Sequence, residues 1–222
     1  MQTNGHTQIN ITAAKKTKQP ATQDVPDMEK LVVPVTLYGL SDLIVNNFTE
    51  KSINEMEYQR SGAVDARAKK KERPPVIPEE RFQASRILDE QGRDCVESRW
   101  VKAALVTASK YPDSPIPSTQ LRGLVFVKGD LLPLTYKGKP IMRRDIVRVG
   151  KFPNKQPDIR YRASYRDWSL KIEVEFEPKL ITLGALTALI RRAGSSVGLC
   201  EWRPEKSPGG IYGRFDVQKV SA

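Results

Sequence analysis

The chain has 222 residues, 39% hydrophobic and 28% charged, which is the composition of a globular protein and not of a collagen-like or wholly disordered one. No stretch reaches the roughly 18 apolar residues that a membrane helix needs. Residues 1–18 also lack the apolar segment of a secretory signal, so we expect a cytoplasmic protein. The 37 Lys and Arg against 26 Asp and Glu give a net charge of +11, which favours polyanionic partners without identifying one.

The N-terminal residues predict a flexible arm followed by a strand. Residues 1–29 are rich in polar residues and show neither helical nor strand periodicity. Leu31–Tyr38 is β-branched and apolar, which predicts a buried strand, and Pro34 within it indicates an edge position or a bulge. Residues 41–45 are predicted as a short turn or the start of a helix. Residues 30–222 are expected to form a single domain.

A basic insertion is predicted next, at about residues 61–95. A helix from Thr49, the expected N-cap, to about Arg60 precedes it. Five Lys and Arg residues and three prolines then crowd residues 67–78, where packing in a core is implausible. Residues 81–89 regain apolar side chains and predict a strand or a short helix.

The middle of the chain predicts one helix and two strands. Residues 97–109 carry small and apolar residues at helical spacing, with Ser98 as the candidate cap. Leu121–Val127 and Asp130–Tyr136 are predicted as two strands joined by a turn at Lys128–Gly129.

The C-terminal third has the clearest pattern. Trp168–Phe176 alternates apolar and polar residues, which predicts a half-buried strand. A helix over 180–193 follows, with Thr182 as N-cap and Gly194 as the glycine after its end. The remaining segments are predicted as a strand at 196–202, a glycine-rich loop at 203–212 and a strand at 213–220. Together the elements predict an α+β fold with a ferredoxin-like, RRM-like antiparallel sheet and helices on one face.

Cysteine and histidine are too scarce for most catalytic or metal chemistry. Cys95 and Cys200 are far apart in sequence and predict core thiols in a reducing compartment. His6, the single histidine, lies in the arm, so neither a zinc site nor a histidine base is expected. Asp42 near a strand end could meet a metal, but a lone Asp there is usually a turn or cap residue. We therefore predict a non-enzymatic protein that needs no cofactor.

The stretch 143–166 is the first candidate binding segment. Tyr161, Tyr165 and Phe152 are interleaved with basic residues, and Gly150, Pro153 and Pro157 predict that much of the stretch is loop. Arg side chains bind phosphate in a fork, and aromatic rings stack on unpaired bases. The pattern favours a groove for a single strand, the alternative being a solvated loop with core tyrosines. Its basic residues are Arg143, Arg144, Arg148, Lys151, Lys155, Arg160, Arg162 and Arg166.

The glycine-rich loop is the second candidate. Glycines allow a backbone to approach a sugar-phosphate chain closely and expose N–H donors. No Gly-Lys-Ser/Thr sequence ends the loop, so it is not a P-loop. The alternative is an ordinary hairpin loop. The residues of interest are Arg203, Lys206, Gly209, Gly210, Tyr212 and Arg214.

Several of these motifs resemble known families. Residues 31–220 are similar to an uncharacterised family of tailed phages and prophages, most specifically in MRRDIVRVG (142–150), DIRYR (158–162) and EWRPEKSPGGIYGRF (201–215). More distantly, the GLSDLI segment (39–44), the helix from Ser98 and the glycine-rich loop resemble the RAMP superfamily, in particular the backbone subunits of CRISPR effector complexes.

The RAMP resemblance implies an RRM-like fold with a thumb-like insertion and repeated subunits along a single strand, hence a homo-oligomer or filament. It implies that Lys102 reaches a phosphate from its helix, and that Arg203, Lys206 and Arg214 do so from the glycine-rich loop. RAMP processing ribonucleases generally use a catalytic histidine, which this sequence has only in its arm. The lack of a histidine outside the arm argues for binding without cleavage.

The leading hypothesis is a phage protein that binds single-stranded RNA or DNA in the host bacterial cytoplasm. One alternative is a virion or scaffold protein whose basic surface faces packaged nucleic acid. A third is a RAMP-type nuclease that uses Asp42 and a metal. The choice between RNA and DNA depends on contacts to the 2′-hydroxyl, which the sequence does not place.

Overall fold

The structure, a computed structural model, describes residues 29–47, 76–114, 116–149 and 156–217. These residues form nine β-strands, all paired antiparallel, and four α-helices, which confirms the predicted α+β class. Residues 1–28 of the predicted arm, the predicted helix from Thr49 and the basic residues at 67–73 lie outside the described residues. None of the helices described is long and apolar enough to cross a membrane.

The larger sheet has six strands, in the order β3-β5-β8-β1-β9, with β4 also paired to β8. Successive side chains of a strand point to opposite faces, so alternate residues of β1 and β8 are buried, from Val33 to Leu37 and from Leu170 to Phe176. β9 covers only the last residues of β1, so Pro34 lies where β1 has a single neighbour, as an edge proline should. The strands are β1 (Leu31–Gly39), β3 (Cys95–Glu97), β4 (Val125–Val127), β5 (Leu131–Thr135), β8 (Ser169–Phe176) and β9 (Phe215–Val217).

The smaller sheet consists of β2 (Leu43–Val45), β7 (Gln156–Tyr165) and β6 (Ile141–Val149), in the order β2-β7-β6. β6 pairs along its whole length with residues 156–164 of β7, whereas β2 pairs only with residues 163–165 of β7. The stretch that was expected to be mostly loop is therefore a long hairpin. Pro157 is compatible with the strand because β7 has a neighbour on one side only at that point.

Two of the helices pack on one face of the larger sheet. α2 (Ser98–Ala108) contacts β4 and α4 (Leu183–Arg192), and α4 contacts β9. Their buried residues, such as Leu105 and Ile190, join the same core as the inward side chains of β1 and β8. α3 (Ser118–Leu124) leads into β4, and α1 (Pro78–Ser85) packs on β7. Phe82 of α1 is buried, so the described end of the predicted insertion contributes to the core.

Several local predictions are confirmed, and four more are wrong besides the loop at 143–166. β1, β8 and α4 occur as expected, and the hydroxyl of Thr182 caps α4 by accepting a hydrogen bond from the Ala185 N–H. Residues 43–45 form β2 instead of a turn or helix start. Residues 118–124 form α3, so only 125–127 remain of the strand expected at 121–127. Ser98 is the first residue of α2, and Glu97 precedes it as N-cap without a side-chain hydrogen bond.

The fourth error concerns residues 193–202. α4 continues into a π-helical turn, Ala193–Val197, where a glycine C-cap and a strand were predicted. Gly194 is inside this turn, and a Cβ there would lie 2.0 Å from the Phe215 carbonyl oxygen. Gly194 therefore allows the turn to pack closely against β9. The chain leaves the helix at Gly198, whose φ is +76°.

A buried carboxylate links the two sheets. Asp94, whose side chain is 1% exposed, forms two hydrogen bonds with the Arg86 guanidinium, of 2.8 and 2.9 Å. It also accepts one of 2.6 Å from each of the hydroxyls of Tyr136 and Tyr165. Tyr136 follows β5 in the larger sheet and Tyr165 ends β7 in the smaller one. The network therefore fixes one sheet against the other.

The same contacts set the pKa values of these groups. Burial alone would raise the pKa of Asp94, but the hydrogen bonds from Arg86 and the two tyrosines outweigh it and lower that pKa. Burial and the hydrogen bond to Asp94 raise the pKa of Tyr136 to about 12 and raise that of Tyr165 further. Asp94 is therefore charged and both phenols are neutral near neutral pH.

Candidate nucleic-acid interface

The hairpin of β6 and β7 has two faces of different chemistry. Residues directly opposite each other in an antiparallel pair share a face. On the inner face, Arg143 opposes Arg162 and Asp145 opposes Arg160. On the outer face, Arg144 opposes Tyr161, Ile146 opposes Ile159 and Arg148 opposes Pro157. Both acidic residues of the described hairpin, Asp145 and Asp158, belong to the inner face.

The inner face contacts the glycine-rich loop. The Arg143 guanidinium lies 4.6 Å from the centre of the Tyr212 ring and forms a 3.0 Å hydrogen bond with Asp145. Arg162 forms ion pairs with Asp145 at 3.6 Å and with Glu201, just before the loop, at 4.0 Å. The two sequence segments that were singled out as candidates are thus brought together in the fold.

Arg162 is buried within this contact, with only 3% of its surface exposed. Its guanidinium faces Asp145 and Glu201, so in this structure it is not exposed to a nucleic-acid strand in solution. Burial lowers the pKa of Arg162, against the opposing effect of the two carboxylates. Among the described residues, Nε and Nη1 of Arg162 find no hydrogen-bond partner, and neither does Nε of Arg143. Arg160 lies near the surface, 3.6 Å from Asp158.

The outer face is open and positively charged. Arg144 and Arg148 are exposed, and between them Ile146 is 70% exposed. Ile159, opposite Ile146, is 43% exposed. Tyr161, nearer the base of the hairpin, packs partly against the core. The outer face therefore offers two guanidinium groups beside an apolar pair, which suits phosphates next to unpaired bases.

Within the glycine-rich loop, the predicted cations make local contacts. Arg203 donates a 3.0 Å hydrogen bond to the Cys200 carbonyl and pairs with Glu205 at 3.1 Å. Lys206 pairs with Glu201 at 3.2 Å. Arg214 is exposed, and its backbone N–H donates to the Ser41 hydroxyl. Exposed ion pairs of this kind are weak, so the loop cations can exchange their partners for a phosphate.

The two predicted glycines of the loop differ. A Cβ at Gly210 would lie 2.2 Å from the Arg203 carbonyl oxygen, so close packing requires this glycine. Gly209 is exposed with nothing within 4 Å of the position of a Cβ. Of these two glycines, Gly209 is therefore the one with open space on its Cβ side.

Gly213 fastens the end of the loop to Asp42, the residue before β2, and its substitution should destabilise the protein. Its φ is +66°, its N–H donates to the Asp42 carbonyl, and a Cβ would lie 2.0 Å from the Leu199 carbonyl oxygen. Gly213→Ala should lower the free energy of unfolding by at least about 2 kcal/mol, measured by urea titration. Gly209→Ala is the matched control and should change it by less than about 0.5 kcal/mol. Equal effects of the two changes would contradict this role.

Three further predicted residues lie apart from this contact or outside the described part of the chain. Lys102 on α2 places its ammonium 3.7 Å from the centre of the Phe126 ring, and burial lowers its pKa. Arg166 follows β7 and pairs with Asp42 at 3.6 Å. Lys151 lies outside the described residues.

A cavity of about 580 Å³ beside the loop was missed by sequence reasoning. It is lined by α2, by the residues after β2 and by residues 197–206. Its polar and aromatic side chains include Asn46, Asn47, Arg99 and Trp100. These residues form no pattern in the sequence, because they come from separate segments that meet only in the fold. The burial of Cys200 in its wall raises the pKa of that thiol.

No protein-family model and no curated protein sequence matches the chain. A chain in the cryo-EM structure of the Type III-B Cmr-beta bound to cognate target RNA matches with a TM-score of 0.50 and 10% identity, over 86% of this chain and 60% of that one. Cmr6 from Pyrococcus furiosus matches with a TM-score of 0.42 and 13% identity, over 86% of this chain and 100% of that one. A chain of a CRISPR RNA-guided surveillance complex matches with a TM-score of 0.30 and 11% identity, over 74% and 61%.

At such identities the likeness concerns the fold alone. The fold of this chain is similar to that of the matched chain in the Cmr-beta structure. This chain spans 60% of the length of the first of these neighbours. The comparisons show no tailed-phage family.

Proposed function

We propose that the protein binds single-stranded nucleic acid without cleaving it, in a phage-infected bacterial cytoplasm, and assembles in several copies along the strand. The observation that carries the proposal is the segregation of charge on the hairpin. Both of its described acidic residues lie on the inner face, whereas the outer face exposes Arg144 and Arg148 beside Ile146. A surface that is positive and apolar, but not acidic, suits a backbone whose bases are unpaired.

A ferredoxin-like, RRM-like arrangement is part of the proposal. In chain order, β1, α2, β4 with β5, β8, α4 and β9 follow a β-α-β-β-α-β pattern. Their order in the sheet places β9 beside β1, β1 beside β8, and β8 beside β4 and β5. Residues 30–222 would then be one domain, with the smaller sheet and the basic insertion added to this core.

The geometry favours a single strand over a duplex. Tyr165 is buried and Tyr212 lies against Arg143, so stacking on tyrosines is weaker than the sequence implied. The exposed apolar pair of the hairpin, Ile146 and Ile159, takes the place of the tyrosines as the contact with bases. Apolar side chains can contact the faces of unpaired bases, which a closed duplex does not present.

The non-catalytic part of the proposal rests on the sequence, in which the single histidine lies in the arm. Asp42, the carboxylate considered for a nuclease, forms an ion pair with Arg166. A nuclease would release cleavage products that disappear in Asp42→Ala. A virion or scaffold protein would instead be recovered in purified particles and would show no preference for single strands.

A gel-shift panel of single- and double-stranded RNA and DNA of equal length, at two salt concentrations, tests the function. We expect binding to both single strands to exceed binding to duplexes, and its affinity to fall steeply with salt as counterions are released. An affinity that does not change with salt, or equal binding to duplex and single strand, would reject the proposal. The same gels report cleavage products.

A further inference from the structure

The cavity beside the glycine-rich loop has the size of a ligand site. Its volume of about 580 Å³ falls in the range of small-molecule pockets, roughly 300–1,000 Å³. Ala104, Val197 and Leu199, which are all buried, give it an apolar lining. Ala103 and Ala104 lie about one turn from Trp100 on α2, and all three residues line the cavity.

The polar groups around the cavity match the parts of a nucleotide. Asn46 and Asn47 supply amide donors and acceptors of the kind that read the edges of bases. Trp100, which is half-buried, offers a ring on which a base can stack. Three cations from two separate segments, Arg99, Arg203 and Lys206, also border the cavity and are suited to a phosphate.

Each of these cations has an acidic neighbour that a phosphate can replace. Arg99 pairs with Glu97 on an exposed surface, and its own side chain is 77% exposed. Lys206 pairs with Glu201 at 3.2 Å. Such pairs contribute little in water, so exchanging the carboxylate for a phosphate has a small cost. The Glu97 carboxylate that Arg99 releases remains at the cavity as an acceptor for the amino group of a base.

We propose that this cavity binds one nucleotide of the strand, with its base turned out of the backbone, stacked on Trp100 and contacted at its edge by Asn46 and Asn47. The inference rests on the proposed function and deepens it. The hairpin supplies contacts that do not depend on sequence, and the cavity adds a contact to one base. Free mononucleotides therefore bind weakly to the same place.

The first test uses free mononucleotides, so it does not depend on binding of a strand. AMP, CMP, GMP and UMP are titrated up to about 10 mM while tryptophan fluorescence is excited where nucleotides do not absorb. We expect saturable quenching by at least one of them, with a dissociation constant of about 1 mM or lower. The quenching should disappear in Trp100→Phe. If none of the four gives saturable quenching, the inference is overturned.

A filled cavity provides the second variant. Ala103 is exposed and borders the cavity, so Ala103→Phe should block it while the protein stays folded, as thermal unfolding will check. Ala188→Phe is the matched control, because Ala188 is also exposed on a helix but does not border the cavity. We expect Ala103→Phe to weaken mononucleotide binding at least 10-fold and Ala188→Phe to leave it unchanged. Equal effects would overturn the inference.

An abasic strand separates the failure of the inference from failure of the proposed function. The wild-type protein should bind an oligonucleotide with all bases present about 10-fold more tightly than the abasic one, whereas Ala103→Phe should reduce this difference. If the wild type and Ala103→Phe show the same salt dependence and the same preference for the intact over the abasic oligonucleotide, the cavity inference fails and the proposed function stands. If neither binds any single strand, the proposed function fails, and the mononucleotide titration alone decides on the cavity.

Discussion

Replacing Arg144 and Arg148 together with Ala should weaken binding to single-stranded oligonucleotides about 30-fold at low salt. Each guanidinium on the open outer face is expected to contribute about 1 kcal/mol through a phosphate, and the two contributions add. The dependence of affinity on salt should weaken as well. For a single strand, the slope of log affinity against log salt falls by about 0.7 for each phosphate that the protein no longer neutralises, hence by about 1.4 here. Fluorescence anisotropy over a series of salt concentrations measures both quantities.

The matched control removes the same charge elsewhere. Arg122 and Lys179 are both exposed. They lie near Phe176 at the end of β8, whereas β7 of the hairpin leads into the start of β8. Arg122→Ala with Lys179→Ala should change affinity by less than about 3-fold, through the reduced net charge alone. If this control weakens binding as much as the hairpin variant, the protein attracts nucleic acid by its overall charge, and the outer face is not the interface.

Asp94→Asn should lower the free energy of unfolding by about 3–5 kcal/mol, the largest effect on stability that we expect of any single change in the described part of the chain. The amide is close in size to the carboxylate, but it removes the charge that faces Arg86 and turns an acceptor into a donor. Arg86 and the two tyrosine hydroxyls are then left without an adequate acceptor. For a domain of this length the melting temperature should fall by about 10 °C.

The control for this change is Asp158→Asn. Asp158 is half-exposed, and its ion pair with Arg160 at 3.6 Å lies at the surface. Its replacement should cost less than about 1 kcal/mol. Similar melting temperatures for the two variants would show that the Asp94 network does not hold the sheets together.

The effect of Asp94→Asn should also depend on pH. The folded protein lowers the pKa of Asp94 from its ordinary value of 3.8, because Arg86 and the tyrosines favour the carboxylate more than burial disfavours it. A group whose pKa is lower in the folded state stabilises the fold above its unfolded pKa and loses that contribution as the pH falls through its folded pKa. The difference in stability between the wild type and Asp94→Asn should thus shrink below about pH 4. Urea titrations at several acidic pH values measure it.

Where a segment carries a complete periodic pattern, the sequence predicts it correctly. In β8 every second residue from Leu170 to Phe176 is apolar, and the pattern is sufficient because a strand with one buried face has no other way to hide them. α4 is as well specified, since its apolar residues recur at helical spacing after the Thr182 cap. The segment 118–127 is different: its apolar run is short, and a run of that length fits a helix or a strand equally well.

The candidate interface could be predicted only in part. The residue types and the two segments are visible in the sequence, since Arg and aromatic residues are concentrated in both. Which of them are free to bind is not visible. Arg143 and Arg144 are neighbours in the sequence, yet one lies against Tyr212 and the other is exposed, because successive residues of a strand point to opposite faces. The prediction of a loop at 143–166 concealed this alternation.

Local patterns along the chain were enough to establish the α+β class, the strands and the helix with complete periodicity, and the positive charge that favours a polyanionic partner. The packing of distant segments was needed to establish which cations are buried, that Asp94 lies between Arg86 and two distant tyrosines, and that a cavity opens beside Trp100. The physical reason is the range of the interactions. Periodicity and capping act within a few residues, whereas a buried ion pair or a cavity wall joins residues whose separation in the chain carries no local signal.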